Sequence, residues 1–189
     1  MQQIYALYAP DAQLRVEADA TVPAFIDLAR KSAVVHIAAH GIVDPRMPSH
    51  SALLLAPSDK SSGLLDAQAM LTTLHLDRTR LVVLSACSSA GGLPVGPEGL
   101  APLVRPLIAG GVPAVLGSLW DVDDATAAQL LVSFHRRYRE GLDAASALQA
   151  AQRDLLQSRN AGLRSALAWA PFQVIGYGSS PFKKKEKPP

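Results

Sequence analysis

The chain has 189 residues, and 49% of them are apolar, which suits a single domain with a sizeable buried core. Its formal charge of +2 comes from the end of the chain, because the lysines and the glutamate of residues 183–187 contribute +3 and leave about −1 for the rest. A basic face that binds nucleic acid is therefore not expected, and the basic end is predicted to be solvated and disordered. The sequence contains no run of about 20 apolar residues, as a membrane helix would need, and no early apolar segment of a secretion signal. Neither is therefore expected.

The single cysteine excludes an internal disulfide and favours a reducing, cytoplasmic compartment. Hydrophobic periodicity in the first half of the chain predicts strands and helices in alternation. In order, we expect strands at 4–8 and 14–18, a helix capped by Thr21, a buried strand at 34–39 leading into His40 and Gly41, a brief strand at 51–56, and a helix at 64–74 beginning near Asp66.

The second half continues this alternation. We expect a buried strand at 81–86, a helix at 100–109 that is short or kinked by Pro102 and Pro106, a strand at 113–120, a helix at 125–140 capped by Asp123 or Asp124, a helix at 143–157, and a last strand at 169–177. Strands that alternate with helices predict an α/β sandwich around a mostly parallel sheet.

Two of the buried strands end in side chains that can carry chemistry. The strand at 34–39 ends at His40, and the strand at 81–86 ends at Cys87, which is followed by a glycine- and serine-rich stretch. Ligands of open α/β sheets bind at the carboxyl ends of the strands. A thiol becomes a strong nucleophile as a thiolate, and histidine is the base that can accept its proton near neutral pH.

A peptide carbonyl attacked by that thiolate also needs hydrogen-bond donors for its developing negative charge. Gly41 follows His40 and has no side chain to block its backbone N–H, and the N–H of Cys87 is the second candidate donor. The alternative interpretation is structural, since a lone cysteine often behaves as a small buried hydrophobe.

The other histidines are weaker candidates. His36 is expected deeper on the strand of His40, as a hydrogen-bonded core residue or a support for the site, and Ser85 is a second supporting candidate next to Cys87. His75 and His135 are predicted at the surface, whereas His50, in a polar loop over 44–50, is a rival base.

The sequence lacks the ligand spacing of a zinc site, and neither phosphate-binding glycine motif occurs, so no metal or cofactor is expected. The G-x-S-x-G elbow of serine hydrolases is also absent.

Several stretches of the chain resemble the CHAT family of caspase-like domains, which are often fused to tetratricopeptide repeats. They are Val35-His36-Ile37-Ala38-Ala39-His40-Gly41, Ser51-Ala52-Leu53-Leu54-Leu55, Leu81-Val82-Val83-Leu84-Ser85-Ala86-Cys87, Pro97-Glu98-Gly99-Leu100, Ser118-Leu119-Trp120-Asp121-Val122-Asp123-Asp124 and Trp169-Ala170-Pro171-Phe172. The resemblance implies a caspase-like three-layer α/β/α sandwich over residues 14–178. Residues 1–13 are expected to be a short amino-terminal strand or the start of a fragment, and residues 179–189 a disordered basic tail.

The resemblance also implies a separase- and caspase-related cysteine peptidase. His40 and Cys87 match its catalytic dyad, and Gly41 matches the glycine whose N–H helps to form the oxyanion hole. The sequence therefore predicts a cysteine endopeptidase that acts on a protein or peptide. The alternatives are a catalytically silent interaction module of the same fold and, less favoured, a small-ester hydrolase.

Acidic residues follow the strand at 113–120, on the same rim of the sheet as Cys87. Asp121 and Asp124 are candidate pocket acids that would favour cleavage after Arg or Lys, while Asp123 or Asp124 is needed as a helix cap. The stretches at 42–50 and 88–99 contain few apolar anchors, so fixing them costs conformational entropy. We therefore expect the isolated chain to be weakly active and a regulatory partner or fused repeat domain to complete the cleft.

Overall fold

The computed structural model describes residues 1–44, 46–85, 101–178 and 180–182. Within these ranges the strands are β1 (Val34–Ala38), β2 (His40–Ile42), β3 (Ala52–Leu54), β4 (Leu64–Asp66), β5 (Leu81–Ser85), β6 (Ala114–Ser118) and β7 (Phe172–Gly176). The α-helices of the same ranges are α1 (Gln2–Tyr8), α2 (Val22–Ala29), α3 (Ala67–Thr73), α4 (Ala101–Ala109), α5 (Asp124–Arg139), α6 (Ala144–Leu156), α7 (Ala161–Arg164) and α8 (Ala166–Trp169).

The larger sheet has the strand order β1-β5-β6-β7. β1, β5 and β6 run parallel, and β7 is antiparallel to β6. Ala38 at the end of β1 lies opposite Ser85 at the end of β5. The predicted mostly parallel sheet is confirmed, and it brings the carboxyl ends of β1 and β5 to the same rim.

Helices cover both faces of this sheet, as the alternation of side chains along β5 shows. Leu81 and Val83 belong to a core cluster shared with α1, α5 and α6, whereas Val82 and Leu84 belong to a second cluster shared with α2, α3 and α4. All four side chains are fully buried. A strand that is buried on both faces has a continuous apolar sequence, as β5 does. Helices on both sides of the sheet confirm the predicted three-layer α/β/α sandwich.

A smaller antiparallel sheet, in the order β2-β3-β4, follows β1 in the chain. β3 and β4 form a hairpin that is closed by the Leu55 amide donating to the Gly63 carbonyl at 2.8 Å. Gly63 has a φ of 91°, and a Cβ at this position would collide with the carbonyl oxygen of Leu55. The hairpin therefore requires glycine here.

Three expectations about local structure are wrong. Residues 4–8 form the helix α1 and not a strand, because Ile4 and Tyr8, four residues apart, share the helix face that packs on α5. Residues 14–18 form no strand, and a 3-10 helix spans Glu17–Asp19. The strand predicted at 34–39 is confirmed as β1, but His36 and His40 do not share a strand, since β1 ends at Ala38 and His40 begins a strand of the other sheet.

The predicted helix starts are largely confirmed. Thr21 caps α2 by accepting from the Ala24 amide at 3.3 Å, and Asp66 caps α3 by accepting from the Ala69 amide at 2.6 Å. The helix predicted over 64–74 begins only after Asp66, because residues 64–66 are paired as β4. α4 is short, as its prolines predicted, and contains Pro106. Within the described ranges, no helix combines the length and the apolar character needed to cross a membrane.

The cap of α6 provides a test of the fold. Asp143 accepts from the Ser146 amide at 3.0 Å and from the Ser146 hydroxyl at 2.7 Å, and these bonds hold the pKa of Asp143 below its usual range. Asp143→Ala is expected to lower the free energy of unfolding by about 1 kcal/mol, measured by urea denaturation at pH 7. Asp143→Asn should retain most of this stability, because asparagine is also a good cap. A loss no larger than that of the exposed control Asp59→Ala would contradict the expectation.

Candidate active site

The candidate dyad, His40 and Cys87, follows the ends of β1 and β5, which form one rim of the larger sheet. His40 follows Ala38 by two residues, and Cys87 follows Ser85 by two, so both depart from paired positions of neighbouring strands. Cys87 and the stretch over 88–99 lie outside the described residues. Ser85, the predicted supporting residue, ends β5 and is half-buried.

His40 and Gly41 lie in β2 and differ in burial. The His40 side chain is exposed, as a base that a substrate must reach would be, whereas Gly41 is buried. β2 pairs with β3 so that His40 lies opposite Leu54 and Gly41 lies opposite Leu53. The sheet therefore fixes the backbone on which His40 stands, although that backbone belongs to the smaller sheet and not to β1.

The acidic residues after β6 lie at a neighbouring part of this rim. β6 pairs with β5 as Val83 to Leu116, and the same offset sets Ser118 level with Ser85. The segment that follows is anchored by the Leu119 amide, which donates to the Pro171 carbonyl at 3.0 Å, and by the Trp120 indole, which donates to the Leu167 carbonyl at 3.2 Å.

The structure decides which of these acids caps α5. Asp123 accepts from the Thr126 amide at 3.0 Å, and its hydrogen bonds with Thr126 hold the pKa of this carboxyl below its usual range. Asp124 is the first residue of α5, and Asp121 precedes the cap; both are exposed. Asp123 is thus the helix cap, and Asp121 and Asp124 are the two predicted pocket candidates beside it.

The rival base His50 is exposed in a 3-10 helix, Pro48–His50. The loop before it is held by Asp44, whose side chain accepts from the amides of Arg46 at 2.8 Å and Met47 at 2.9 Å. Its amide in turn donates to the Ser51 hydroxyl at 3.0 Å. The bonds from the Met47 and Arg46 amides lower the pKa of Asp44, and all three bonds supply polar anchors that the apolar pattern of this loop does not reveal.

His135 is fully buried, which corrects its predicted surface location, and it is paired with the half-buried His36. Nδ1 of His36 and Nε2 of His135 are 2.8 Å apart, and the Tyr8 hydroxyl is 2.8 Å from Nδ1 of His135. Burial, and then the amino group of Met1, lower the pKa of His36 to about 4, and burial holds the pKa of His135 well below its usual range. Both imidazoles are therefore neutral at pH 7, and His36 is hydrogen-bonded but only half-buried.

Sequence patterning contained a signal for the burial of His135. The residue lies four positions after Leu131 and three before Tyr138, both on the buried face of α5. Tyr8 could not be predicted as its partner, because the contact joins residues 127 positions apart in the chain.

Two cavities lie along β1, which is an edge strand of the larger sheet. One, of about 400 Å³, is lined by Tyr8, His36, His135 and Arg139 among others, and the other, of about 320 Å³, is lined by Leu14, Phe25 and residues 34–38 among others. Neither is lined by His40, Gly41, Asp121 or Asp124. The described residues contain no group of three or more His, Cys, Asp and Glu side chains that could hold a metal ion.

The α/β/α sandwich around a mostly parallel central sheet is consistent with the caspase-like class of domains. The sequence model of the CHAT domain family matches residues 2–177, and no curated protein matches the chain. The chain belongs to the CHAT domain family, a family related to the caspase-like peptidases.

Proposed function

We propose that this CHAT domain is a cysteine endopeptidase that cleaves a protein or peptide substrate with Cys87 and His40. The observation that carries the proposal is the register of the central sheet. Ala38 lies opposite Ser85, and each is followed two residues later by one member of the pair. Membership of a peptidase-related family supports the same assignment.

The mechanism begins with transfer of the Cys87 Sγ proton to the imidazole of His40. The thiolate attacks the carbonyl carbon of the scissile bond, and the amides of Gly41 and Cys87 donate to the resulting oxyanion. Collapse of this intermediate breaks the C–N bond, and His40 gives its proton to the leaving amine. A water molecule, deprotonated by His40, then attacks the thioester, and the thiolate leaves and recovers its proton.

The exposed state of His40 suits both of its proton transfers. A base that removes a proton from the thiol and donates it to the leaving nitrogen must lie within about 3 Å of each in turn. An exposed imidazole in a short strand, with a glycine following it, leaves room for a peptide backbone beside it. His36 is half-buried and bonded to His135 of α5, so we assign it a structural role.

The acidic residues after β6, Asp121 and Asp124, would favour a basic side chain just before the scissile bond, because they can form an ion pair with it. Asp121→Asn and Asp124→Asn should each reduce cleavage after Arg or Lys by about two- to fivefold relative to a neutral residue, because an exposed ion pair contributes about 1 kcal/mol or less. Cleavage rates of peptides that differ only at this residue measure the effect.

Asp19→Asn, an exposed acid of the 3-10 helix Glu17–Asp19, is the matched control and should leave the preference unchanged. The specificity assignment would be abandoned if the wild-type chain preferred Asp before the scissile bond. It would also be abandoned if neither variant changed the ratio of rates for Arg and neutral peptides.

The peptidase proposal is tested directly by a thiol-directed peptidyl probe incubated with the purified chain. We expect covalent labelling of Cys87 that is lost in His40→Ala, because the thiolate needs its base. Labelling at the same rate in both proteins, together with no turnover of a peptide library, would instead favour a catalytically silent interaction module.

A further inference from the structure

The small sheet presents an apolar row beside His40. His40 lies opposite Leu54 in β3, and Leu54 lies opposite Leu64 in β4. Side chains of directly opposed residues project from the same face of a sheet, so these three share one face, and Ile42 shares it two residues further along β2. We call Leu54, Leu64 and Ile42 the leucine row.

The leucine row is exposed although the sheet has a buried face available. Leu54 is 42% exposed, Leu64 is 49% exposed and Ile42 is 36% exposed. On the opposite face, Gly41 is buried, Leu53 is 0% exposed and Leu65 is 2% exposed. Leu53 and Leu65 already supply the contact with the core, so stability of the fold does not require leucine at 54 and 64. Contiguous exposed apolar side chains mark interaction surfaces.

The chemistry of His40 indicates which part of a substrate would reach this row. In the mechanism above, His40 donates a proton to the leaving nitrogen, so that nitrogen lies within hydrogen-bond distance of the imidazole. The residues that follow the scissile bond begin at this nitrogen. They are therefore the part of the peptide that is nearest to the face of the small sheet.

The spacing of the sheet fits this placement. Neighbouring strands are about 4.8 Å apart, so Leu54 lies about 5 Å from His40 across the sheet and Leu64 about 10 Å away. An extended peptide advances about 3.3 Å per residue, so its first three residues after the scissile bond span the same distance.

We propose that the leucine row selects substrates with apolar side chains among the first three residues after the scissile bond. This assignment rests on the proposed peptidase activity, and it concerns the opposite side of the scissile bond from Asp121 and Asp124. The part of the substrate that would bind the leucine row is the leaving segment, because the row lies directly beside His40, which protonates the nitrogen of that segment.

The test uses peptide sets that differ only at the three positions after the cleaved bond, with leucine or serine at each. The wild-type chain is expected to favour leucine at one or more of them by about tenfold in kcat/KM, the size expected when a pocket partly buries one apolar side chain. Leu54→Thr and Leu64→Thr should bring this ratio towards 1, mainly by lowering kcat/KM for the leucine peptides. Threonine preserves the preference for a strand.

Leu156→Ser is the matched control, because Leu156 is also 42% exposed but lies at the end of α6. Its leucine preference should equal that of the wild type. Thermal unfolding of each variant shows whether the fold is retained, and Leu54→Gln and Leu64→Gln replace any threonine variant that unfolds early.

Turnover with no leucine preference at these positions, or a preference that survives both row variants, would overturn the role of the row and leave the peptidase intact. A ratio lowered equally by Leu156→Ser would overturn it too. Complete absence of turnover and of probe labelling in the wild-type chain would overturn the peptidase and the row together.

Discussion

Replacing His40 with alanine is expected to lower kcat/KM for peptide cleavage by at least about 100-fold, and Cys87→Ala is expected to abolish cleavage. The cysteine change removes the atom that forms the thioester, while the histidine change removes the group that generates the thiolate and protonates the leaving amine. Because the His40 side chain is exposed, its truncation should change the free energy of unfolding by less than about 0.5 kcal/mol.

Two exposed histidines provide controls for this experiment. His50→Ala and His75→Ala should each retain near-normal turnover, because neither is attached to the rim through β2. If His40→Ala kept its activity and His50→Ala lost it, the base assignment would be wrong. Thermal unfolding of every variant separates a loss of chemistry from a loss of fold.

Acidification from pH 7 to pH 4 is expected to destabilise the fold through the pair of His36 and His135. The unfolded chain binds a proton at His36 below its ordinary pKa of 6.5, while the folded chain does so only near pH 4. The unfolded state therefore binds more protons in this window, and the free energy of unfolding falls as pH falls. The lowered pKa of His36 alone corresponds to about 3 kcal/mol by pH 4, and His135 adds to the same slope.

Urea denaturation at pH 7, 6 and 5 measures this slope. The double variant His36→Gln and His135→Gln removes both titrating groups and should show a flatter dependence, even though it is less stable at pH 7 from the loss of the pair's contact. The exposed control His75→Gln should keep the wild-type slope. The carboxyls with lowered pKa, Asp44, Asp123 and Asp143, lose their contributions below about pH 4 and so act outside this window.

A wild-type chain whose unfolding free energy is constant between pH 7 and pH 5 would show that the pair is not kept neutral by burial. The same conclusion would follow if the double variant retained the full slope. Thermal unfolding cannot replace urea in this test, since heating itself shifts histidine pKa values.

Peptide cleavage and acid stability depend on different parts of one strand–loop–strand unit. β1 holds the half-buried His36 against His135, and β2, two residues later, holds the exposed His40. Acid destabilisation of the histidine pair should therefore reduce cleavage at low pH by unfolding, in addition to any direct effect of pH on the reaction. Stability and activity need to be measured at each pH for the two effects to be separated.

The sequence by itself determined the central strands, the helices α2 to α6 and the caps of α2 and α3. β5 and β6 are continuous apolar runs that can be buried only in a covered sheet, and Thr21 and Asp66 satisfy the exposed amides of a first helical turn. These features depend on residues within a few positions of one another. The spacing of His40 and Cys87 from the strand ends was likewise readable from the chain.

Only the tertiary structure decided the locations that depend on distant partners. Residues 4–8 favour a strand by composition, yet Ile4 and Tyr8 gain contacts with α5 only as a helix. His135 on α5 was expected at the surface because histidine is polar. Its burial depends on Tyr8 and His36, which hydrogen-bond to its two ring nitrogens. The pairing of β2 with β3 removes His40 from the larger sheet and creates the leucine row beside it. The local hydrophobic pattern predicts which face of its helix or strand a residue occupies. Whether that face is buried, and which sheet a strand joins, depends on residues that are distant in the chain.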